Sequence, residues 1–510
     1  MNSANTSRVH TQSWSFAHHQ GTWLLIFLTM MLVGLTIWVL SNGFFLESAM
    51  QSWSIVISAL GSEDVLLENL TMLTPHLPLY LLIPFYFIPG LDTGAAPYLV
   101  SILATSLLLW MWARDLKDVD ITQTRLAIVA LLIVLHPAFL WAATSGGHIS
   151  LTMITFYLLY RSAQHIITVH DIHSYISMAV VFVVFFFIDG TAVYIFVALI
   201  PLIVLIAPIR AIMISPMSLY LIIGTPFAFA VGTWAYMNWI FEGSFSFFIT
   251  NADSDFLGGM LSIAQYPWLQ DYGGEFFQPF LVATGYLLIA YPVSIYLLLD
   301  TIDDNHRFRA TFVLMLHPLI AIGIATSQHY LTHPFEILTL VSAGLMAELT
   351  YVKMQTRREF ILLVIFMMVS IVGGWWLFIE TANPQMTRWY KAIQGENTSV
   401  AIVEDADYQL GKWLNTHRMP TIIYERTAYR AIVARGDAEG LLLSYSHGFK
   451  SAMRQRIPDV EQIVVSDPDT LAGKRDRVNI RHPHLYSHGM SGYKLVYDKL
   501  GWRVYRKIHA

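Results

Sequence analysis

Eleven apolar runs, at residues 23–40, 97–112, 126–142, 149–161, 174–190, 192–209, 217–240, 277–299, 310–327, 335–351 and 360–380, constrain this chain more than any other feature. A run of roughly 20 apolar residues matches the thickness of a bilayer core. Within that core a backbone must satisfy its own hydrogen bonds, which helices do segment by segment. The runs therefore predict a polytopic all-α membrane domain of about 11 transmembrane helices. Composition agrees, with 55% hydrophobic and 13% charged residues and a mean hydropathy of +0.53. The polar N-terminus has no small-residue cleavage site after its apolar run, so Trp23–Leu40 is expected to be a retained span and not a signal peptide.

The loops carry an independent signal. Arg8, Arg114, Lys117, Arg125, Arg161, Arg210, Arg307, Arg309, Lys353, Arg357 and Arg358 fall at the N-terminus and in alternate loops, whereas the intervening loops at 43–96, 143–148, 189–191, 241–276 and 328–334 hold no Lys or Arg. Cytoplasmic loops are the ones enriched in Lys and Arg, which predicts a cytoplasmic N-terminus and an extracytoplasmic C-terminus. The parity works only if residues 75–89, broken by Pro75, Pro78, Pro84 and Pro89, form an interfacial or re-entrant segment. That segment ends the acidic stretch 42–91, which holds Glu47, Glu63, Asp64 and Glu68 and has His76 at its mouth.

Charge also divides the chain. Residues 1–382 hold 11 Lys/Arg against 22 Asp/Glu, a net of −11, and residues 383–510 hold 19 against 13, a net of +6. Two domains are expected, a multi-span membrane domain over 1–382 and a small extracytoplasmic α/β domain over 383–510. In the second, TIIY (421–424), LLLSY (441–445) and QIVVS (462–466) read as short strands. YKLVYDKLGWRVYRKI alternates around a Lys-Leu-Gly turn and reads as a hairpin. The basic charge of this domain fits attraction to anionic lipid heads or polymers, and equally a solvated surface. Absence of cysteine removes disulfides, thiolate catalysis and Cys-ligated zinc. No feature calls for a nucleic-acid partner.

Several stretches together resemble the GT-C superfamily of integral-membrane glycosyltransferases, in particular the branch of protein O-mannosyltransferases and aminoarabinose transferases. They are an acidic residue just after the first span (Glu47), TPHLPLYLL, HPAFLWAATSGGHIS and QHYLTHPFEILTLVSAGL. Glu47 stands where the family usually has Asp, His148 where many members have Asp, and His329 where Arg is common. The resemblance implies transfer of a sugar from a polyprenyl-phosphate donor to an acceptor hydroxyl of a glycan, lipid or protein at the extracytoplasmic face, usually with inversion. The expected location is the plasma (inner) membrane.

That chemistry needs a carboxylate to accept the hydroxyl proton and donors or a metal to meet the charge of the departing lipid phosphate. Glu47 is the candidate base. Glu63 and Asp64 are alternatives as base, acceptor contact or metal contact, and all three could equally be ordinary carboxylates of an acidic loop. The phosphate-side candidates are His76, His148 after Gly146-Gly147, His329 with Tyr330, and Arg388 beyond the last span. Either histidine loop could equally be structural. A divalent metal is a candidate cofactor, with Asp253 and Asp255 in the loop 241–276 as its ligands, and the same loop could simply cover substrate. The competing class is a non-catalytic scaffold or transporter of similar build. A transporter is expected to carry charges within its spans, whereas here they gather at the ends.

Overall fold

The structure, a computed structural model, describes residues 14–61, 74–89, 94–116, 122–168, 172–207, 215–250, 277–302, 308–309, 311–313, 334–352, 356–380, 383–398, 403–455 and 459–508. The chain opens with α1 (Trp14–Ser41), then α2 (Glu47–Leu60) and α3 (His76–Tyr86). Eleven residues of α3 cover roughly 16 Å at 1.5 Å per residue, about half of a bilayer core, and Pro75 and Phe87 bound them. There follow α4 (Ala96–Asp115), α5 (Gln123–Leu135), α6 (Pro137–Thr144), α7 (Ile149–Thr168), α8 (Ile172–Ile188) and α9 (Thr191–Leu199). Then come α10 (Pro216–Glu242), α11 (Phe277–Ala290), α12 (Val293–Asp300), α13 (Pro334–Leu349) and α14 (Arg357–Glu380).

Among the described residues four helices are long and apolar enough to cross a membrane, namely Trp23–Ser41, Ala96–Asp115, Met217–Glu242 and Arg357–Glu380, and the bent pair α5–α6 makes a fifth if it is one span. The side chains of α14 show why such a helix suits lipid. Leu363, Met367, Ser370, Gly374, Leu377 and Phe378 are buried, while Ile361, Ile365, Met368, Val372, Trp376 and Ile379 form an exposed apolar stripe spaced by three and four residues. A helix that is apolar on both its packed and its open face belongs in hydrocarbon.

Two of the expected straight runs are broken. The run 126–142 bends by 71° between α5 and α6, because Pro137 has no N–H to give and holds His136 extended, at φ −67° and ψ 131°. The run 277–299 breaks at Tyr291-Pro292 between α11 and α12. Each break supplies what the other lacks. His136 Nε2 lies 3.0 Å from the Ala290 carbonyl, its Nδ1 accepts from Ala138 N at 3.3 Å, and the Tyr291 hydroxyl sits 2.9 Å from the same Nδ1. These contacts fix the neutral ring with its proton on Nε2, and they satisfy backbone groups that hydrocarbon would leave orphaned. Gly374 passes so close that a Cβ there would stand 2.7 Å from His136 Nε2. The run 149–161 is longer than its hydropathy, since α7 continues past Arg161 with Ser162, Ala163, Gln164 and Ile166 still buried.

Beyond the bundle, α15 (Pro384–Ile393) is capped by the Asn383 side chain, which accepts from Gln385 N and Met386 N. Its Trp389 is fully buried among Trp141, Trp375 and Phe378 and donates to Thr144 Oγ1 at 2.9 Å. Then come α16 (Val403–Thr416), β1 (Thr421–Ile422), α17 (Glu425–Arg435), β2 (Leu441–Leu442), β3 (Gln462–Ser466), β4 (Tyr493–Lys499) and β5 (Trp502–Lys507). The strands form one mixed sheet in the order β2-β1-β3-β5-β4, parallel at β2-β1-β3 and antiparallel at β3-β5-β4. The expected hairpin is present. Leu500 and Gly501 both take positive φ, 50° and 85°, as a two-residue turn matched to the strand twist requires.

One hydrophobic cluster joins this sheet unit to the start of the chain. Met50, Trp53, Val56 and Ile57 of α2 and Leu79 and Leu82 of α3 are buried together with Leu410, Leu414, Ala428, Ile432, Val433 and Val504. The α/β unit therefore sits on the apolar face of α2 and α3 and is not tethered at a distance from it.

Candidate functional site

The first residue of α2 is Glu47, exposed at the helix N-terminus, where the partial positive charge of the peptide dipoles favours a carboxylate. The turn that presents it is fixed from below, because Leu46 N donates to the Tyr98 hydroxyl at 2.9 Å. Two other parts of the chain meet there. Gln385 on α15 donates through Nε2 to Glu47 Oε2 at 3.4 Å. Arg388, half-buried, lies three residues further on and so on the same face of α15. From the α/β unit, Tyr429 lies near enough for its phenol to feel the Glu47 carboxylate, and the Arg430 guanidinium stands 5.5 Å from the Tyr429 ring centre. Burial is the main cause that pushes the Tyr429 phenol up. The neighbouring Arg430 opposes it, and Glu47 and Asp407 add to it, so the Tyr429 phenol keeps its proton over the whole physiological range.

Beside Glu47 opens a narrow cleft of about 20 Å³, lined by Ser48 and Ser52 of α2, Pro78 and Leu82 of α3, and Gly147 and His148 ahead of α7. The glycines are there for contact. Gly146 takes a φ of +79°, and a Cβ on it would meet the Tyr98 ring at 2.9 Å, while one on Gly147 would meet Leu46 at 3.0 Å. This close approach puts the loop bearing His148 against the turn bearing Glu47. His148 Nε2 is 3.5 Å from Asp189 Oδ2. Asp189, in the turn between α8 and α9, also accepts from Thr191 N at 2.8 Å and from Thr152 Oγ1 at 3.4 Å. Both carboxylate oxygens are thus engaged, Oδ1 by Thr191 and Oδ2 by His148 and Thr152.

Of the residues singled out by sequence, the structure brings Glu47, His148 and Arg388 to one end of the molecule. His76 is placed differently. It is buried in the first turn of α3, 3.2 Å from the Tyr80 hydroxyl and edge-on to Trp234 at 4.5 Å between ring centres, and α3 lines the cleft through Pro78 and Leu82 instead. Glu63, Asp64, Asp253, Asp255, His329 and Tyr330 lie outside the described residues. Among the described residues no group of three or more His, Asp or Glu side chains is placed to hold a metal ion.

The sequence reading did not find Gln385, Tyr429 or the Asp189 partner of His148. Neither Asp189 nor Tyr429 carries a local signal in the sequence that ties it to His148 or Glu47. Chemically, the site offers a solvent-reached carboxylate beside a tyrosine hydroxyl and held by a glutamine amide. Hydroxyls and glycine backbone line the adjoining cleft, and Arg388 shares the Gln385 face of α15. Compared with known proteins, the sequence matches no family model, and no curated protein matches it significantly.

Proposed function

We propose that this chain is a GT-C-type membrane glycosyltransferase that takes a sugar from a polyprenyl-phosphate donor at the extracytoplasmic surface. In this reading the 11 apolar runs cross the membrane, the N-terminus is cytoplasmic, and the α/β unit stands outside over the Glu47 cleft. The observation that carries the reading is the position of Glu47. An exposed carboxylate directly after the first membrane-length helix adjoins a narrow amphipathic cleft and is met by Gln385 and Tyr429 from the C-terminal part of the chain.

Glu47 accepts the proton of the acceptor hydroxyl as that oxygen attacks the sugar C1. The bond from C1 to the phosphate oxygen breaks, and the lipid phosphate leaves with the electron pair. Arg388, on the Gln385 face of α15, is the candidate to meet its charge, because an unpaired anion at a low-dielectric boundary is strongly unfavourable. Gln385 holds the carboxylate in place beside the Tyr429 hydroxyl, and His148 with Asp189 borders the far side of the cleft.

The test is donor-dependent sugar transfer by the reconstituted protein. Glu47→Gln is expected to keep donor binding and to lower turnover by roughly 100-fold, the usual scale of losing a general base. Unchanged turnover in that variant removes Glu47 from the role. The facing helix breaks at His136-Pro137 and Tyr291-Pro292 favour a second reading, a transporter, since broken helices at mid-membrane often bind cargo. Counterflow of a polyprenyl-linked or free sugar, intact in Glu47→Gln, would select it.

A further inference from the structure

The helices that frame the Glu47 cleft frame a second, larger cavity at their opposite ends. Val100 of α4 and Leu151 of α7 line the cleft. About six to fifteen residues further along the same two helices, or roughly 9–22 Å at 1.5 Å per residue, Trp110, Arg114, Asp115, Tyr157, Arg161 and His165 line a cavity of about 550 Å³, which the first half of α8 closes. The proposed glycosyl transfer makes no use of it.

Its two ends differ in chemistry. The floor is a fixed polar set. Arg161 Nε is 3.1 Å from Asp115 Oδ2, Tyr157 donates to the same oxygen at 2.6 Å, and Arg161 Nη1 donates to Thr350 Oγ1 at 3.0 Å. Asp115 is therefore already matched by Arg161. Arg114 adds a further full positive charge at the rim, exposed and 6.0 Å from the Trp110 ring centre. Opposite it stand His173, Ser174 and Ser177 on α8. The side wall is apolar, and it continues outward onto the flank of the bundle. Trp110 is 49% exposed, Ile176 49% and Val180 53%, side chains that water would not favour and hydrocarbon would. A cationic, hydroxyl-bearing end joined to an open apolar slot fits a ligand with an anionic head and an apolar chain.

We propose that this cavity binds the phosphate head of an anionic membrane lipid, with one acyl chain lying along Trp110, Ile176 and Val180. Basic pockets between membrane helices are a known means of holding such heads, and here Arg114, without an ion pair among the described residues, supplies the charge while the α8 hydroxyls and His173 supply hydrogen bonds. Lipid binding here is independent of the function of the Glu47 cleft. The lipid would brace α4, α7 and α8 at the end opposite that cleft.

The test uses the full chain in nanodiscs of phosphatidylcholine, into which phosphatidylglycerol is titrated while bound lipid is counted by native mass spectrometry. Phosphatidylglycerol is expected to be retained in preference to phosphatidylcholine. Arg114→Gln, at an exposed position, is expected to lower that preference about 5-fold, the scale of one cation beside an anionic lipid. Val180→Trp fills the slot without changing charge and is expected to lower retention of both lipids. Inorganic phosphate at equal concentration is expected not to displace the lipid. Equal retention of the two lipids, an unaltered preference in Arg114→Gln, or displacement by inorganic phosphate each overturns the proposal, the last by showing a site for free phosphate alone.

Discussion

Asp476 gives the α/β unit a pH dependence whose sign and size follow from its surroundings. It is 1% exposed, precedes the short helix Arg477–Arg481, and accepts from Val478 N at 2.8 Å and from Ser466 Oγ at 2.9 Å. Burial pushes its carboxyl up from 3.8 to about 6, against the pull of those hydrogen bonds. A carboxyl whose pKa is raised in the folded state binds its proton more tightly there than in the unfolded chain. Its contribution is thus fully present below the unfolded pKa and is lost as pH rises through about 6. A rise from 3.8 to about 6 is worth about 3 kcal/mol, and the change is confined to the window between about pH 4 and pH 6. The exposed pair of Asp459 with Lys507 acts in the opposite sense and lower. Lys507 holds Asp459 below its ordinary value, so that contribution is lost only as pH falls through the depressed pKa. The assay is hydrogen exchange of the Ile463, Val464 and Val465 amides in β3, corrected for intrinsic exchange. Protection is expected to rise as pH falls from about 6.5 toward about 4.5. Asp476→Asn, which keeps a good cap but cannot titrate, is expected to be flat across the window. A wild-type profile that is flat there, or one that Asp476→Asn shares, refutes the reasoning.

Tyr429→Phe removes the hydroxyl beside Glu47, and turnover is expected to fall by about 5-fold, the scale of one hydrogen bond formed to the carboxylate during turnover, about 1 kcal/mol. In a double-mutant cycle with Glu47→Gln the two losses should not add, and additivity would separate Tyr429 from the site. Trp53→Ala empties the centre of the cluster shared by α2 and the α/β unit, at a cost of about 3–5 kcal/mol. Limited proteolysis should then release the C-terminal unit faster, and unchanged protection would show that other contacts hold it. Gly374→Ala drives a methyl against His136 and is expected to cost about 1–3 kcal/mol, read as a lower melting temperature. Gly34→Ala, which meets nothing within 4 Å, is the control and should melt as the wild type does.

Membrane-length helices, the short Pro-bounded helix α3 and the hairpin around Leu500-Gly501 were all legible in the sequence, because each is fixed by residues within a turn or two of one another. Apolar side chains at every helical position report the solvent around the helix, and two positive-φ residues between alternating strands report the turn. The same local reading ran straight through His136-Pro137 and Tyr291-Pro292. An average over apolar side chains does not register a missing N–H, although the prolines were in view. It also stopped α7 at Arg161, since a charge ends a hydropathy run while the buried face of the helix continues. The candidate site was legible only in part. Glu47 stood out as the first acidic residue after an apolar run and His148 as a polar residue after two glycines. Gln385 and Tyr429 lie more than 300 residues from Glu47 in the chain, and Asp189 lies about 40 from His148. No periodicity or spacing connects such positions. They meet because the apolar face of α2 and α3 is covered by α16, α17 and the sheet, and because Gly146 and Gly147 let one loop lie against another. Which surfaces cover one another is decided by shape and burial over the whole molecule, and that information exists only once the chain has folded.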